Sequence, residues 1–186
     1  MIKIGIVIGS TRPGRKAEVV GKWAYDIARK RNDAEVELVD IADFNLPLLD
    51  EPIPAMFGQY SHDHTRAWSA KIASFDGYVF VTPEYNHGTS AALKNAIDFL
   101  YHEWNNKAAG FIAYGGSMGA RAVEHLRLVM AELQVATVRA QVGLSLFTDF
   151  ENFTVFKPAE TQQKNVNAML DQVIAWSGVL KLLRNK

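Results

Sequence analysis

Three continuous apolar runs constrain this chain more than anything else in it: Ile4-Gly5-Ile6-Val7-Ile8, Tyr78-Val79-Phe80-Val81 and Gly110-Phe111-Ile112-Ala113. Runs without polar alternation are what strands buried on both faces require. Apolar residues recur at helical spacing between and after them: Val19, Val20, Trp23, Ala24 and Ile27, then Leu126, Val129, Met130 and Leu133, then Val166, Met169, Leu170, Val173 and Ile174. Strands that alternate with helices from end to end predict a parallel sheet with helices on both faces. Val36-Glu37-Leu38-Val39-Asp40 and Val138-Arg139-Ala140-Gln141-Val142 carry polar residues in alternation, which suits edge strands. Three interior strands flanked by the second and fifth fit the doubly wound order 2-1-3-4-5.

At 186 residues the chain suits a single α/β domain over 1–186, with no internal repeat or low-complexity segment to suggest otherwise. Lys plus Arg equals Asp plus Glu at 20 each, so no electrostatic footprint for nucleic acid is expected. The chain has no cysteine, which excludes disulfides, zinc-thiolate sites and thiol catalysis. Met1-Ile2-Lys3-Ile4 leads straight into a strand, and no apolar run reaches the ~20 residues that span a bilayer. The expectation is a cytoplasmic protein with no membrane association.

Ligands of open α/β sheets bind at the carboxyl ends of the strands, at the switch point of the strand order. Here that point lies between strands one and three, and two loops meet there. Gly9-Ser10-Thr11-Arg12-Pro13-Gly14-Arg15 follows the first strand. In it Ser10, Thr11, Arg12 and Arg15 form a candidate anion cradle, helped by backbone N–H groups at the start of the next helix. The loop has neither a P-loop lysine motif nor a full Gly-x-Gly-x-x-Gly, so a monophosphate suits it better than a triphosphate or pyrophosphate. Thr82-Pro83-Glu84-Tyr85-Asn86-His87-Gly88 follows the third strand, with a helix from Ser90 to about Leu100 behind it. Tyr85 offers a flat face, and Asn86 a donor and an acceptor for a pyrimidine-like edge. A cationic loop beside an aromatic one points to a phosphorylated planar ligand. A third loop, Gly115-Gly116-Ser117-Met118-Gly119, lets a ligand approach the backbone closely. Ser117 there either caps the next helix or touches the ligand.

With Gly9-Ser10-Thr11-Arg12, Pro83-Glu84-Tyr85-Asn86 and Gly115-Gly116-Ser117-Met118-Gly119 in this order and spacing, the chain resembles the NAD(P)H-dependent FMN reductases of the flavodoxin-like fold. That group includes quinone, chromate and azo-dye reductases, and the resemblance covers nearly the whole chain. It implies a doubly wound five-stranded parallel sheet that binds FMN, with NADPH or NADH as co-substrate. Hydride passes to the flavin, then electrons pass to a quinone, azo compound, metal oxyanion or free flavin in a ping-pong scheme. The resemblance places the phosphate at Ser10, Thr11, Arg12 and Arg15. It places the flavin ring at Pro83, Glu84, Tyr85 and Asn86, and at Gly115, Gly116 and Ser117, while His87 adjoins that loop as a candidate contact to substrate or nicotinamide. The family often has a small hydroxyl or amide residue a few positions after the arginine. Lys16 and Ala17 stand there in this chain, so that contact falls to Arg15 or to backbone.

No residue is assigned a proton-transfer role, because the cofactors carry the chemistry of hydride transfer. Glu84 is expected to shape its loop or to meet a neighbouring backbone group. Arg121 is a weaker candidate for a nicotinamide-nucleotide phosphate, with a solvated arginine as the alternative. The rival to an enzyme is a flavodoxin-type electron carrier, which the neutral charge and the long Asp43 to Ser61 connection disfavour. That connection, with Pro47, Pro52, Pro54, Met56, Phe57 and Tyr60, either walls a pocket or packs on its own domain. His62-Asp63-His64 lacks a third ligand at diagnostic spacing, so no metal is expected, and the pair is read as helix-capping and solvated. Tyr101-His102-Glu103-Trp104 either lies inside the subunit or forms part of the homodimer or tetramer contact that the resemblance implies.

Overall fold

The structure is a computed structural model in which residues 1–184 are described. Five parallel strands form one sheet: β1 (Ile2–Ile8), β2 (Ala34–Asp40), β3 (Gly77–Pro83), β4 (Lys107–Gly115) and β5 (Val135–Ser145), in the order β2-β1-β3-β4-β5. Five helices connect or follow them: α1 (Ala17–Ala28), α2 (Asp63–Ala73), α3 (Ala91–Asp98), α4 (Ala120–Glu132) and α5 (Glu160–Arg184). A short antiparallel pair, β6 (Phe150–Glu151) and β7 (Val155–Phe156), stands between β5 and α5. This is the expected strand order, with the polar-alternating strands at the two edges. Among the described residues no helix is long and apolar enough to cross a membrane.

Period-2 alternation sorts each central strand between two cores. Ile4, Ile6 and Ile8 of β1, with Val79 and Val81 of β3, face α1 and α5. Val7 of β1, with Tyr78 and Phe80 of β3, faces α2, α3 and α4. On α1 the buried stripe is Ala17, Val20, Gly21, Ala24, Ile27 and Ala28. Val19, read as part of that stripe, is instead exposed, because it is one residue off the face that meets the sheet.

The second core is aromatic. Trp104 and Tyr78 meet edge to face at 5.0 Å, and Phe80 and Phe111 stack at 6.1 Å. Trp104 is fully buried, and its Nε1 donates to the Ile97 carbonyl at 3.1 Å. It therefore cannot belong to a contact between subunits. Truncating such a ring to Ala costs ~3–5 kcal/mol. Its neighbours are engaged as well: Glu103 accepts from the Tyr60 hydroxyl and the Ser69 hydroxyl, and the His102 ring nitrogen meets the Met56 carbonyl at 2.7 Å. The Asp43–Ser61 connection thus packs on its own chain, through two short 3-10 turns at Ile41–Phe44 and Ala55–Phe57.

The strands run further than their apolar runs. β3 continues through Thr82 and Pro83, and β4 through Tyr114 and Gly115, because Thr82 pairs with Ala113 and Pro83 with Tyr114. His62 occupies the N-cap position of α2, but its side chain bonds none of the helix N–H groups. Its ring stacks on His64 at 5.1 Å, and both rings meet Asp50. The pair is held by a carboxylate, which corrects the reading of it as a capping pair.

Candidate cofactor site

The loop after β1 is shaped by a close approach. A Cβ on Gly9 would stand 2.7 Å from Leu93 and 2.8 Å from the Val81 carbonyl, so any side chain would push α3 off the strand end. The Ser90 hydroxyl donates to the Gly9 carbonyl at 2.6 Å and accepts the Leu93 N–H at 3.0 Å. One buried side chain therefore caps α3 and ties it to the first loop. The sequence placed Ser90 at the start of this helix but did not show its tie to Gly9, although a serine just before a helical run is a cap signal.

A cleft of about 170 Å³ opens above the switch point, lined by the first loop from Arg12 to Lys16, by Pro83, Glu84 and Tyr85, by Tyr114 and Gly115, and by Leu146. Six predicted residues meet there: Arg12, Arg15, Pro83, Glu84, Tyr85 and Gly115. Ser10 is buried, with its hydroxyl accepting the Arg12 N–H at 3.4 Å. Thr11 faces away, toward a larger hollow of about 440 Å³ lined by Ala42, Asn45 and Ala92 among others. That hollow has no charged side chain on its walls, so the smaller cleft is the better anion site. Asn86, His87, Gly116 and Ser117 are exposed and stand outside the cleft lining.

The two arginines differ. Arg15 is bound twice by the Asp40 carboxylate, once at 2.9 Å, and donates to the Ser10 carbonyl at 2.5 Å. Asp40 is the last residue of β2, paired with Ile8 at the end of β1, and it also accepts the Ala42 N–H. Arg15 is thus a brace for the loop, with its charge balanced by Asp40, and it still lines the cleft. Arg12 is exposed and, among the described residues, has no carboxylate partner. Its guanidinium stands 5.8 Å from the centre of the Tyr85 ring, a cation over a π face at the cleft mouth. Behind it α1 starts at Ala17, and its N-cap residue Lys16 satisfies none of the first-turn N–H groups with its side chain. Those donors and the helix dipole favour an anion.

The second loop is a tight reversal. Tyr85 and Gly88 exchange both backbone bonds at 2.9 Å, with Asn86 at φ 48° and His87 at φ 71°. Two consecutive residues in the left-handed region make a type I′-like turn, which costs a histidine on the order of 1 kcal/mol. The Glu84 N–H donates to the Tyr114 carbonyl and the Tyr85 N–H to Gly88, so neither serves a ligand. Among the described residues the Asn86 and His87 amides have no acceptor in the protein, which leaves them as the loop's donors.

Glu84 meets a backbone group, as expected. Its carboxylate accepts the Arg121 N–H at 3.1 Å and the Arg121 Nε at 2.7 Å. Arg121 also reaches the His87 ring nitrogen at 2.8 Å and the Ser117 hydroxyl at 3.0 Å. Burial drives the Glu84 pKa up, but the bonds and charge of Arg121 outweigh it and hold the group below its usual value. Arg121 is therefore a clasp between the second and third loops. Ser117 belongs to that clasp and does not cap α4, whose N-cap is Gly119 at φ 69°. A Cβ on Gly119 would collide with Ala113, so the third loop also depends on a glycine.

Residues 2–149 match the model of the NADPH-dependent FMN reductase family. The chain belongs to that family. A Nectria sp protein named NAD(P)H-dependent FMN reductase ntnL is 42% identical over 159 residues, which cover 80% of this chain and 79% of its own. A Solanum tuberosum protein named NAD(P)H:quinone oxidoreductase is 30% identical over 173 residues, 88% of this chain and 87% of its own. Among solved structures, the flavoenzyme NAD(P)H:(acceptor) oxidoreductase FerB from Paracoccus denitrificans superposes with a TM-score of 0.73 at 19% identity, covering 96% of this chain and 98% of that one. The fold is flavodoxin-like, and as an NADPH-dependent FMN reductase by family the protein is an oxidoreductase.

Proposed function

We propose that this protein holds FMN in the cleft between its first and second loops and moves electrons from NADPH or NADH to a small-molecule acceptor. The observation that carries the reading is Arg12, a cation without a carboxylate partner among the described residues, set over the Tyr85 ring at the mouth of a cleft that ends at an open helix N-terminus. A phosphate and a planar ring joined by a short polar chain suit those features together. At about 170 Å³ the cleft takes the phosphate-bearing end, and the ring falls to the mouth residues Tyr85, Asn86, Gly115 and Gly116.

FMN, when bound, supplies the two-electron chemistry. The protein's part is to bind, orient and align. Arg12 and the first turn of α1 hold the anion. Tyr85 offers a face to the ring, and the Asn86 and His87 amides offer donors to its edge. The Glu84–Arg121 clasp keeps the second and third loops at a constant separation, which matters because hydride transfer depends on alignment at ~3–3.5 Å. Nicotinamide and acceptor take turns at one open face, a ping-pong scheme. A quinone is the favoured acceptor, supported by the similarity to the potato quinone oxidoreductase. Azo compounds, metal oxyanions and free flavin belong to the same broad class.

Purified protein that is yellow and bleaches with NADPH or NADH under anaerobic conditions, then regains colour on adding a quinone, supports this reading. Yellow protein that fails to bleach is instead a flavodoxin-type carrier. Colourless protein that takes up no FMN removes the flavin reading altogether.

A further inference from the structure

Tyr114 stands at a strand end beside the cleft, outside the three loops. It is the penultimate residue of β4, pairs with Pro83 on β3 and Leu144 on β5, and is only 5% exposed. Its ring packs in the core beneath α1 and lies 6.3 Å from Phe150. Among the described residues its hydroxyl has no hydrogen-bond partner. The N–H of Ala17, at the start of α1, is the backbone donor that acts on that group, and it only weakly offsets the burial. Buried polar groups are nearly always partnered, so an orphan hydroxyl marks either a cost or an unfilled function. Tyr114 itself lines the cleft that Arg12 and Lys16 also line, with its oxygen buried behind that wall.

Resting on the FMN reading above, we propose that the Tyr114 hydroxyl donates a hydrogen bond to the phosphate of the bound flavin, completing a cradle of Arg12, Lys16 and the first turn of α1. The chemistry fits on three counts. A phenol donates readily to a phosphate oxygen, and a bond to an ionised acceptor is short and strong. Burial, and then the nearby Tyr85, drive the Tyr114 pKa upward, so the group remains a donor across the working pH range. The cradle also lacks a second free guanidinium, since Arg15 is held by Asp40. A neutral donor set deep in the wall then contributes direction where charge alone would not. Tyr114 is a binding residue that distinguishes phosphorylated from unphosphorylated flavin.

Tyr114→Phe keeps the ring and removes only the oxygen. The full chain, freed of flavin, is titrated with FMN and with riboflavin, and quenching of flavin fluorescence is read. The expected result is an FMN dissociation constant about tenfold higher with riboflavin binding unchanged. In the parent chain, inorganic phosphate should weaken FMN binding, and in the Phe variant it should do so less. Equal weakening of FMN and riboflavin would overturn the proposal, since the ring would then act by packing. Unchanged FMN affinity would overturn it equally. Thermal unfolding of the flavin-free chains gives an independent check. Losing an orphan hydroxyl should leave stability unchanged or raised, whereas a clear loss would show that the oxygen already has a protein partner. A parent chain that binds neither flavin defeats the FMN reading itself, and this assignment with it. A parent that binds both flavins while the variant matches it defeats this assignment alone.

Discussion

Glu84 and Arg121 join the two loops on the ring side of the cleft: a carboxylate with a side chain 5% exposed accepts from both the backbone N–H and the guanidinium of one arginine. The pair spans from the end of β3 to the first turn of α4, so loop spacing is set by a charge-assisted contact and not by loop length. Arg121 also holds His87 and Ser117, which makes it the centre of the clasp.

Glu84→Gln should therefore act through positioning. We expect weaker flavin retention and a hydride-transfer rate within about tenfold of the parent once the site is saturated, against ~10²–10⁴ for loss of a general base. Stopped-flow reduction of bound FMN by NADPH reads this directly. A variant that keeps its flavin yet loses three decades would show Glu84 to be catalytic. Arg121→Ala should give a similar loss, and the double variant should fall well short of the sum, as residues in one network do.

The two cleft arginines should separate cleanly. Arg12→Ala removes a charge-assisted hydrogen bond worth ~1.5–3 kcal/mol, so FMN affinity should fall by about one to two decades, while riboflavin suffers much less. Arg15→Ala should weaken FMN and riboflavin alike and lower thermal stability by roughly 1–3 kcal/mol, because the Asp40 carboxylate loses its partner. Riboflavin falling as far as FMN in the Arg12 variant would mean that Arg12 does not hold the phosphate.

Lys107 predicts a pH dependence of stability far from the site. Its Nζ is buried at the start of β4 and donates to the Ile72 and Ala73 carbonyls at 3.1 and 3.3 Å and to the Tyr78 hydroxyl at 2.9 Å. Burial first, and then the charge of Arg184, bring its pKa from the ordinary 10.5 down to about 7. Between those values the unfolded chain holds a proton that the folded chain does not, so this group makes stability rise with pH across the window. Its contribution is complete above pH 10.5 and is lost as pH falls through about 7. Denaturant unfolding at several pH values should show a slope worth on the order of a few kcal/mol over that range, and Lys107→Met should flatten it. An unchanged slope in the variant would assign the effect elsewhere.

We expect the protein to sediment as a homodimer or larger. Trp104 is excluded from the contact by its burial, which leaves half-buried Tyr101, exposed His102 and the exposed Met56 and Phe57 in that region to meet another copy. A monomer at micromolar concentration ends this expectation, and Phe57→Asp should shift a dimer toward monomer.

The sequence by itself determined which strands are interior, which lie at the edges, and where the three loops fall, because those depend on local patterns. An interior strand must be apolar on both sides, an edge strand may alternate, and a ligand loop needs glycine, hydroxyl and cationic residues close together in the chain. Arg12 and Tyr85 were legible for the same reason. What only the tertiary structure decided were pairings between residues distant in sequence. Arg15 looks as free as Arg12 until β2 brings Asp40 beside it, 25 positions away. Arg121 looks solvated until β3 delivers Glu84, and Trp104 is open between core and interface until its Nε1 finds Ile97. Tyr114 reads as one more aromatic residue at a strand end. Whether its hydroxyl is partnered depends on where α1 begins above it, which is a matter of packing geometry that no local pattern encodes.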